Sequence, residues 1–243
     1  MNLISKPLVT ALLFLAVGIA SLTAQTPSAT LPAPPAVKQI APGVFQVGGI
    51  RLDKNKQTLT FPAHFHICEG IIEYLLVTTA GKLHETMLRT EVQPQHLQVA
   101  MLLLGAKAVP ADQLQRLLDD PKLPIPGEPV DLQLLWKVGE KERTVRIEDL
   151  VLDKKAKGPM AKGPFHFTGS RLFEGTFIAQ RDGSIISLIT DADAQFNNPR
   201  PGREDDENFT VAKEKTPPRD TPVEVLIRLV KPDSKPTNKP AAK

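Results

Sequence analysis

Residues 71–105 read IIEYLLVTTAGKLHETMLRTEVQPQHLQVAMLLLG, and this stretch decides the expected fold. Ile71 to Thr78 is apolar at nearly every position and is broken only by Glu73. That pattern predicts a strand covered on both faces, because a strand wet on one face alternates. Ala80-Gly81 supplies a turn, so Lys82 to Leu88 reads as the return strand of a hairpin. Pro94 suits a first helical turn, where its missing N–H would be unpaired in any case. Leu97, Ala100, Met101 and Leu104 follow at i, i+3, i+4 and i+7, and Gly105 is a stop. Val99, Leu102 and Leu103 make this helix apolar almost all round, which predicts burial. A second, shorter helix is expected from Ala111 to Asp119, with Leu114, Leu117 and Leu118 inward and Pro121 ending it.

Working outward, the later segments read as strands. Val130 to Val138 and Glu142 to Ile147 flank Gly139 as a hairpin. Phe165 to Phe167, Thr176 to Gln180 and Ser184 to Thr190 follow, with Asp182-Gly183 as a tight turn between the last two. Thr221 to Val230 sets Val223, Val225, Ile227 and Leu229 on one side against Glu224 and Arg228 on the other, a closing strand with one wet face. The expected fold class is α+β: one strand-rich domain, mainly antiparallel sheet, with a central helical pair at about residues 94–119.

The ends of the chain have a different character. Lys6 and the amino terminus precede an uncharged apolar run, Leu8 to Ala20, and small residues follow at Ser21 and Ala24. This is the pattern of a secretory signal cut after Ala24, and the run is shorter than the roughly 20 residues needed to span hydrocarbon. Residues 25–40, with Pro27, Pro32, Pro34 and Pro35, read as a semi-stiff spacer. Residues 231–243 repeat Lys and Pro and read as a solvated tail. The expected organisation is therefore signal 1–24, linker 25–40, one domain over 41–230 and tail 231–243. The product is expected to be exported, periplasmic or extracellular, with no membrane span after the cut.

Composition narrows the function. The chain has 30 Lys and Arg against 27 Asp and Glu. Setting aside Lys6, Lys38, the four tail lysines and Asp233 leaves 24 basic and 26 acidic residues in the body. The basic excess thus sits outside the expected domain, which argues against nucleic-acid binding. One Cys in 243 residues excludes an internal disulfide framework and an all-cysteine iron–sulfur or zinc site.

Three polar groupings merit inspection. His64, His66 and Cys68 fall at i, i+2 and i+4 in FPAHFHICEG. On a strand they leave one face and could chelate zinc or copper, with His84 or Glu85 as a fourth ligand; the simpler reading leaves the imidazoles on a wet face. Glu73, His84, Glu85 and His96 form a second set near the most apolar part of the chain, where a carboxylate beside an imidazole could bind a ligand or do acid–base work. Nothing in their spacing fixes the geometry, and HETML lacks the second His of a zinc-protease helix. Asp191, Asp193, Asn197, Asn198, Glu204, Asp205, Asp206 and Glu207 crowd a third segment, an oxygen-rich loop of the kind that holds calcium or is simply hydrated. No GxSxG elbow, phosphate loop or other covalent-catalysis motif is present.

The run EGIIEYLLVTTAGKLHETMLRTEVQPQHLQVAMLLLGA, Glu69 to Ala106, resembles the signature region of YdjY-domain proteins, which are exported or envelope-associated bacterial proteins without an assigned activity. FTGSRLFEG and GSIISLITDADAQFNNP resemble that family's second half. The most specific elements are Glu73-Tyr74-Leu75-Leu76-Val77, Gly81-Lys82, His84-Glu85 and Leu102-Leu103-Leu104-Gly105. HFHIC is not part of the pattern. The resemblance implies a domain identity and no catalytic residues, and its cofactor is unknown; one cysteine cannot carry the iron–sulfur segments associated with some relatives. The expectation is a non-enzymatic exported domain that binds a small ligand or an envelope protein. Its rival is a metal-dependent or acid–base envelope hydrolase built on Glu73, His84 and Glu85, and a third reading is a purely structural envelope component.

Overall fold

The computed structural model describes residues 35–230. The expected signal segment, residues 25–34 of the spacer and the Lys/Pro tail lie outside the described residues. The chain opens with β1 (Val37–Ala41), β2 (Val44–Val47), β3 (Ile50–Asp53) and β4 (Thr58–Phe65), an antiparallel meander whose first strand falls partly within the stretch read as spacer. Next come β5 (Tyr74–Thr78), a 3-10 turn at Leu83–Glu85, β6 (Thr86–Thr90), and helices α1 (Pro94–Leu104) and α2 (Ala111–Asp119). The long hairpin β7 (Glu128–Val138) and β8 (Lys141–Arg146) turns at Gly139 as expected. After it come β9 (Val151–Asp153), β10 (Gly158–Pro159), β11 (Phe165–Phe167), the hairpin β12 (Leu172–Phe173) and β13 (Thr176–Phe177), and helix α3 (Ile178–Asp182). β14 (Ser184–Ser187), β15 (Phe196–Asn197), β16 (Phe209–Val211) and β17 (Pro222–Leu229) complete the chain.

The main sheet closes on itself. From β4 the hydrogen-bonded order runs β17, β7, β11, β15, β14, β5, β6, and β6 pairs back to β4 through His64–Arg89 and Phe65–Leu88, giving a barrel of eight strands. An eight-stranded barrel is either filled by side chains or holds one small ligand, and this one is lined by buried side chains. Here they are Phe61 and Phe65 from β4, Val130, Leu132 and Leu134 from β7, Val225 and Ile227 from β17, and aromatic residues from the short strands. Phe65 meets Trp136 edge-on at 5.9 Å, and Phe167 packs on Phe196 at 5.2 Å. Each fully buried Leu, Ile, Val or Phe contributes about 1.5–3 kcal/mol.

This corrects the α+β expectation of an open, mainly antiparallel sheet around a central helical pair. The sheet is mixed, since β5–β6 and β14–β15 are parallel. The expected hairpin after Gly81 does not form. Residues 79–85 instead carry the chain back along β5, so that β6 starts level with Tyr74 and runs the same way. The helices form at the expected residues but do not make the centre. α1 packs on β2, β3 and β4 through Leu97, Ala100, Met101 and Leu104, with Leu102 facing solvent. α2 buries Leu114 and Leu117 in a separate small cluster with Val109, Ile125 and Ala192. Where a strand was expected from Thr176 to Gln180, only Thr176–Phe177 is extended, and Gly183 is the left-handed cap of α3 rather than part of a hairpin turn. Among the described residues no helix is long and apolar enough to cross a membrane.

Candidate functional site

The parallel β5–β6 pair creates a polar edge. Glu73, just before β5, donates its N–H to the Glu85 carbonyl at 2.9 Å and accepts from Leu188 N–H at 2.8 Å. The backbone thus fixes it between the 3-10 turn and the segment after β14. Its carboxyl group lies beside that of Glu85. Burial first, and then the Glu85 charge, push the Glu73 carboxyl above its usual range. His84 Nε2 lies 3.4 Å from Glu85 Oε2 on a ring that is 79% exposed. Lys82 Nζ lies 3.6 Å from Glu85 Oε1.

Behind this edge runs a chain of hydrogen bonds. Lys82 Nζ donates to the Tyr74 phenol oxygen at 2.8 Å and sits 4.7 Å from the centre of its ring. The phenol O–H in turn donates to Asp191 Oδ2 at 2.8 Å. Tyr74 is the only tyrosine of the chain and is 1% exposed, so its hydroxyl needs partners inside the protein. Burial dominates both pKa values: the phenol is pushed far up, with the Asp191 charge adding to the shift, and the Asp191 carboxyl is also raised, against the opposing pull of the Tyr74 bond. Asp191 Oδ1 accepts Asp193 N–H at 2.8 Å, and Asp193 is paired with Arg171. Asn197 clasps the Asp191 peptide, accepting its N–H at 2.9 Å and donating to its carbonyl at 2.8 Å.

The second sequence grouping is therefore brought together in part: Glu73, His84 and Glu85 converge, and His96 does not. The His96 ring lies against Gly48, between β2 and β3, so closely that a side chain at Gly48 would collide with it. The metal grouping is dispersed. β4 ends at Phe65, so the alternation that would align His64, His66 and Cys68 stops after the first of them. His64 points outward. The His66 ring is near Arg89 and Arg219, and burial together with those charges holds its pKa below the ordinary value. Its Nδ1 is buried without a partner. Burial pushes the Cys68 thiol up, away from the thiolate that a metal needs. Among the described residues no group of three His, Cys, Asp or Glu side chains is placed to hold a metal ion.

The oxygen-rich loop is likewise divided rather than gathered. Asp191 and Asp193 turn inward as described, and Glu204 and Asp205 pair with Lys155 at 3.4 and 3.1 Å. Arg203 clamps the loop from within, donating to the carbonyls of Lys122 and Leu123 at 3.0 and 2.7 Å. The sequence reading missed the joint action of Tyr74, Lys82 and Asp191. Its available signal was a lone tyrosine in an otherwise apolar strand.

A family model described as YdjY domain matches residues 50–228. No curated protein and no solved structure matches the chain.

Proposed function

Because the chain belongs to the YdjY-domain family, whose likeness defines a domain and no reaction, we propose that it is an exported binding domain without catalytic activity. Its ligand is a small polar molecule or the polar segment of an envelope partner, met at the edge formed by Lys82, His84, Glu85 and Glu73. One observation carries this reading: these side chains converge, yet each is already engaged by a neighbour, while Lys82 and His84 still reach solvent. The arrangement suits recognition by preformed donors and acceptors. The Tyr74 phenol is not an activated nucleophile, since burial and Asp191 hold it protonated. Export rests on the amino-terminal segment alone.

The test is native mass spectrometry of the protein purified from its own host. A retained adduct, lost in Lys82→Ala and Glu85→Gln, is expected; a bare mass with no adduct would count against binding. A second reading, an acid–base hydrolase using Glu73, His84 and Glu85, is favoured by the partly buried placement of Glu73 beside Glu85, since a raised carboxyl is what a general acid requires. Turnover of ester, amide or glycoside model substrates that disappears in Glu73→Gln would establish that reading instead. Among the described residues its metal-dependent form has no support from the geometry.

A further inference from the structure

We infer that Asp191 is a positioning residue which, acting through the Tyr74 phenol, fixes the Lys82 ammonium where it meets an oxygen acceptor of the ligand. This rests on reading the Glu73–Lys82–Glu85 edge as the binding surface. The argument is one of hydrogen-bond direction. A phenol has a single O–H, and Asp191 Oδ2 accepts it at 2.8 Å, which commits that hydrogen inward. The phenol oxygen then has only lone pairs to offer on its other side, and the group found there is Lys82 Nζ at 2.8 Å.

A lysine on its four-carbon stem has no fixed position of its own. This one is held by the phenol oxygen, by the ring face at 4.7 Å and by Glu85 at 3.6 Å. Its side chain is nevertheless 47% exposed, which leaves a donor for solvent or ligand. Asp191 is itself immobilised by Asp193 N–H, by the Asn197 amide and, through Asn197, by Thr168 Oγ1 at 3.1 Å. The acidic loop thereby acquires an interior role: it aims a cation from beneath.

Sub-stoichiometric acetylation of the purified full-length protein with acetic anhydride, read by peptide mass spectrometry, measures the Lys82 rate against that of exposed Lys107. In the wild type Lys82 is expected to react more slowly than Lys107. Tyr74→Phe removes the acceptor and Asp191→Asn removes the director, and each should raise the Lys82 to Lys107 ratio about fivefold, the equivalent of one hydrogen bond. Asp191→Glu should restore it in part. An unchanged ratio in both variants, or wild-type Lys82 reacting as fast as Lys107, would overturn the inference; the wild-type measurement stands even if a variant fails to fold. A fall in melting temperature with no change in ratio would likewise reduce Asp191 to a structural residue. The two readings separate because labelling needs no ligand. A shifted ratio on a protein that retains no adduct would support positioning and refute binding, whereas a retained adduct with an unmoved ratio would do the reverse.

Discussion

Removing the Glu148 carboxylate should cost the fold more than any change at the polar edge. Glu148 lies in the 3-10 turn Ile147–Leu150 and is 1% exposed. One of its oxygens accepts from Arg146 at 2.7 Å, Arg200 at 3.3 Å and the Gly163 N–H at 3.1 Å. Arg146 has a second carboxylate, Asp131, at 3.2 Å, whereas Arg200 is left with the carbonyls of Ala161 and Gly163, the Asn198 amide and the Phe165 ring at 4.6 Å. Glu148→Ala therefore strands a buried guanidinium and orphans a peptide N–H. Breaking a buried pair costs about 3–5 kcal/mol, and an orphaned N–H about 1–3. The two losses share one site and do not add, so the expected loss is about 3–5 kcal/mol. Against a typical total of about 5–15 kcal/mol this is large. Urea unfolding followed by circular dichroism would report it as a lower midpoint at unchanged slope. The double variant Glu148→Leu/Arg200→Met, which removes both charges, should recover more than half of the loss. A single-variant loss below about 1 kcal/mol, or a double variant less stable than the single, would refute the reasoning.

Three further outcomes are expected. The Glu73 pKa is raised above the ordinary 4.5, so its contribution to stability is complete below that value and is lost as pH rises through the folded one. Glu73→Gln keeps a donor to Glu85 and should abolish that decline, read as melting temperature from about pH 4 to about pH 7; parallel curves would show the pairing to be inconsequential. The His66 pKa lies below the ordinary 6.5, so its contribution is present above that value and is lost as pH falls through the folded one. His66→Gln, which keeps a polar side chain but cannot titrate, should flatten the acid limb of the wild-type profile, read as melting temperature against pH. Gly127 has φ +117, and a Cβ there would strike the Phe167 carbonyl, so Gly127→Ala should cost at least about 2 kcal/mol by urea unfolding.

Segments with strong periodicity were legible in the sequence. α1 forms over Pro94–Leu104 because proline opens it and left-handed Gly105 closes it. β17 alternates in burial as its Val, Ile, Glu and Arg pattern implies. The barrel was not legible, because closure depends on pieces too short to carry a period. β11 and β15 have three and two residues, and the β4–β6 seam rests on two register pairs. The parallel course of β6 was hidden for a related reason: Ala80-Gly81 marks a change of direction and not its extent, and the 3-10 turn at Leu83–Glu85 completes the return. At the site, Glu73, His84 and Glu85 could be named from residue type, but Asp191 reaches Tyr74 only through the tertiary fold. The strand-end break after Phe65, which scatters His64, His66 and Cys68, likewise depends on the β17 connection that meets it.

β15 is the narrowest stave of the barrel. Phe196 and Asn197 bridge β11 and β14, and the Thr168 N–H to Gln195 carbonyl and Asn198 N–H to Ser187 carbonyl bonds continue the ladder at 2.9 and 3.1 Å. Side-chain amides supplement it: Asn198 donates to the Leu188 carbonyl at 3.0 Å while Asn197 clasps Asp191. The short ladder is compensated by burial, since Gln195, Phe196, Asn197 and Asn198 are all shut off from solvent. It is also the footing of Asp191, so a substitution at Asn197 would reach Lys82 from behind without touching it. The placement of the outer edge is thus borrowed from the narrowest part of the wall.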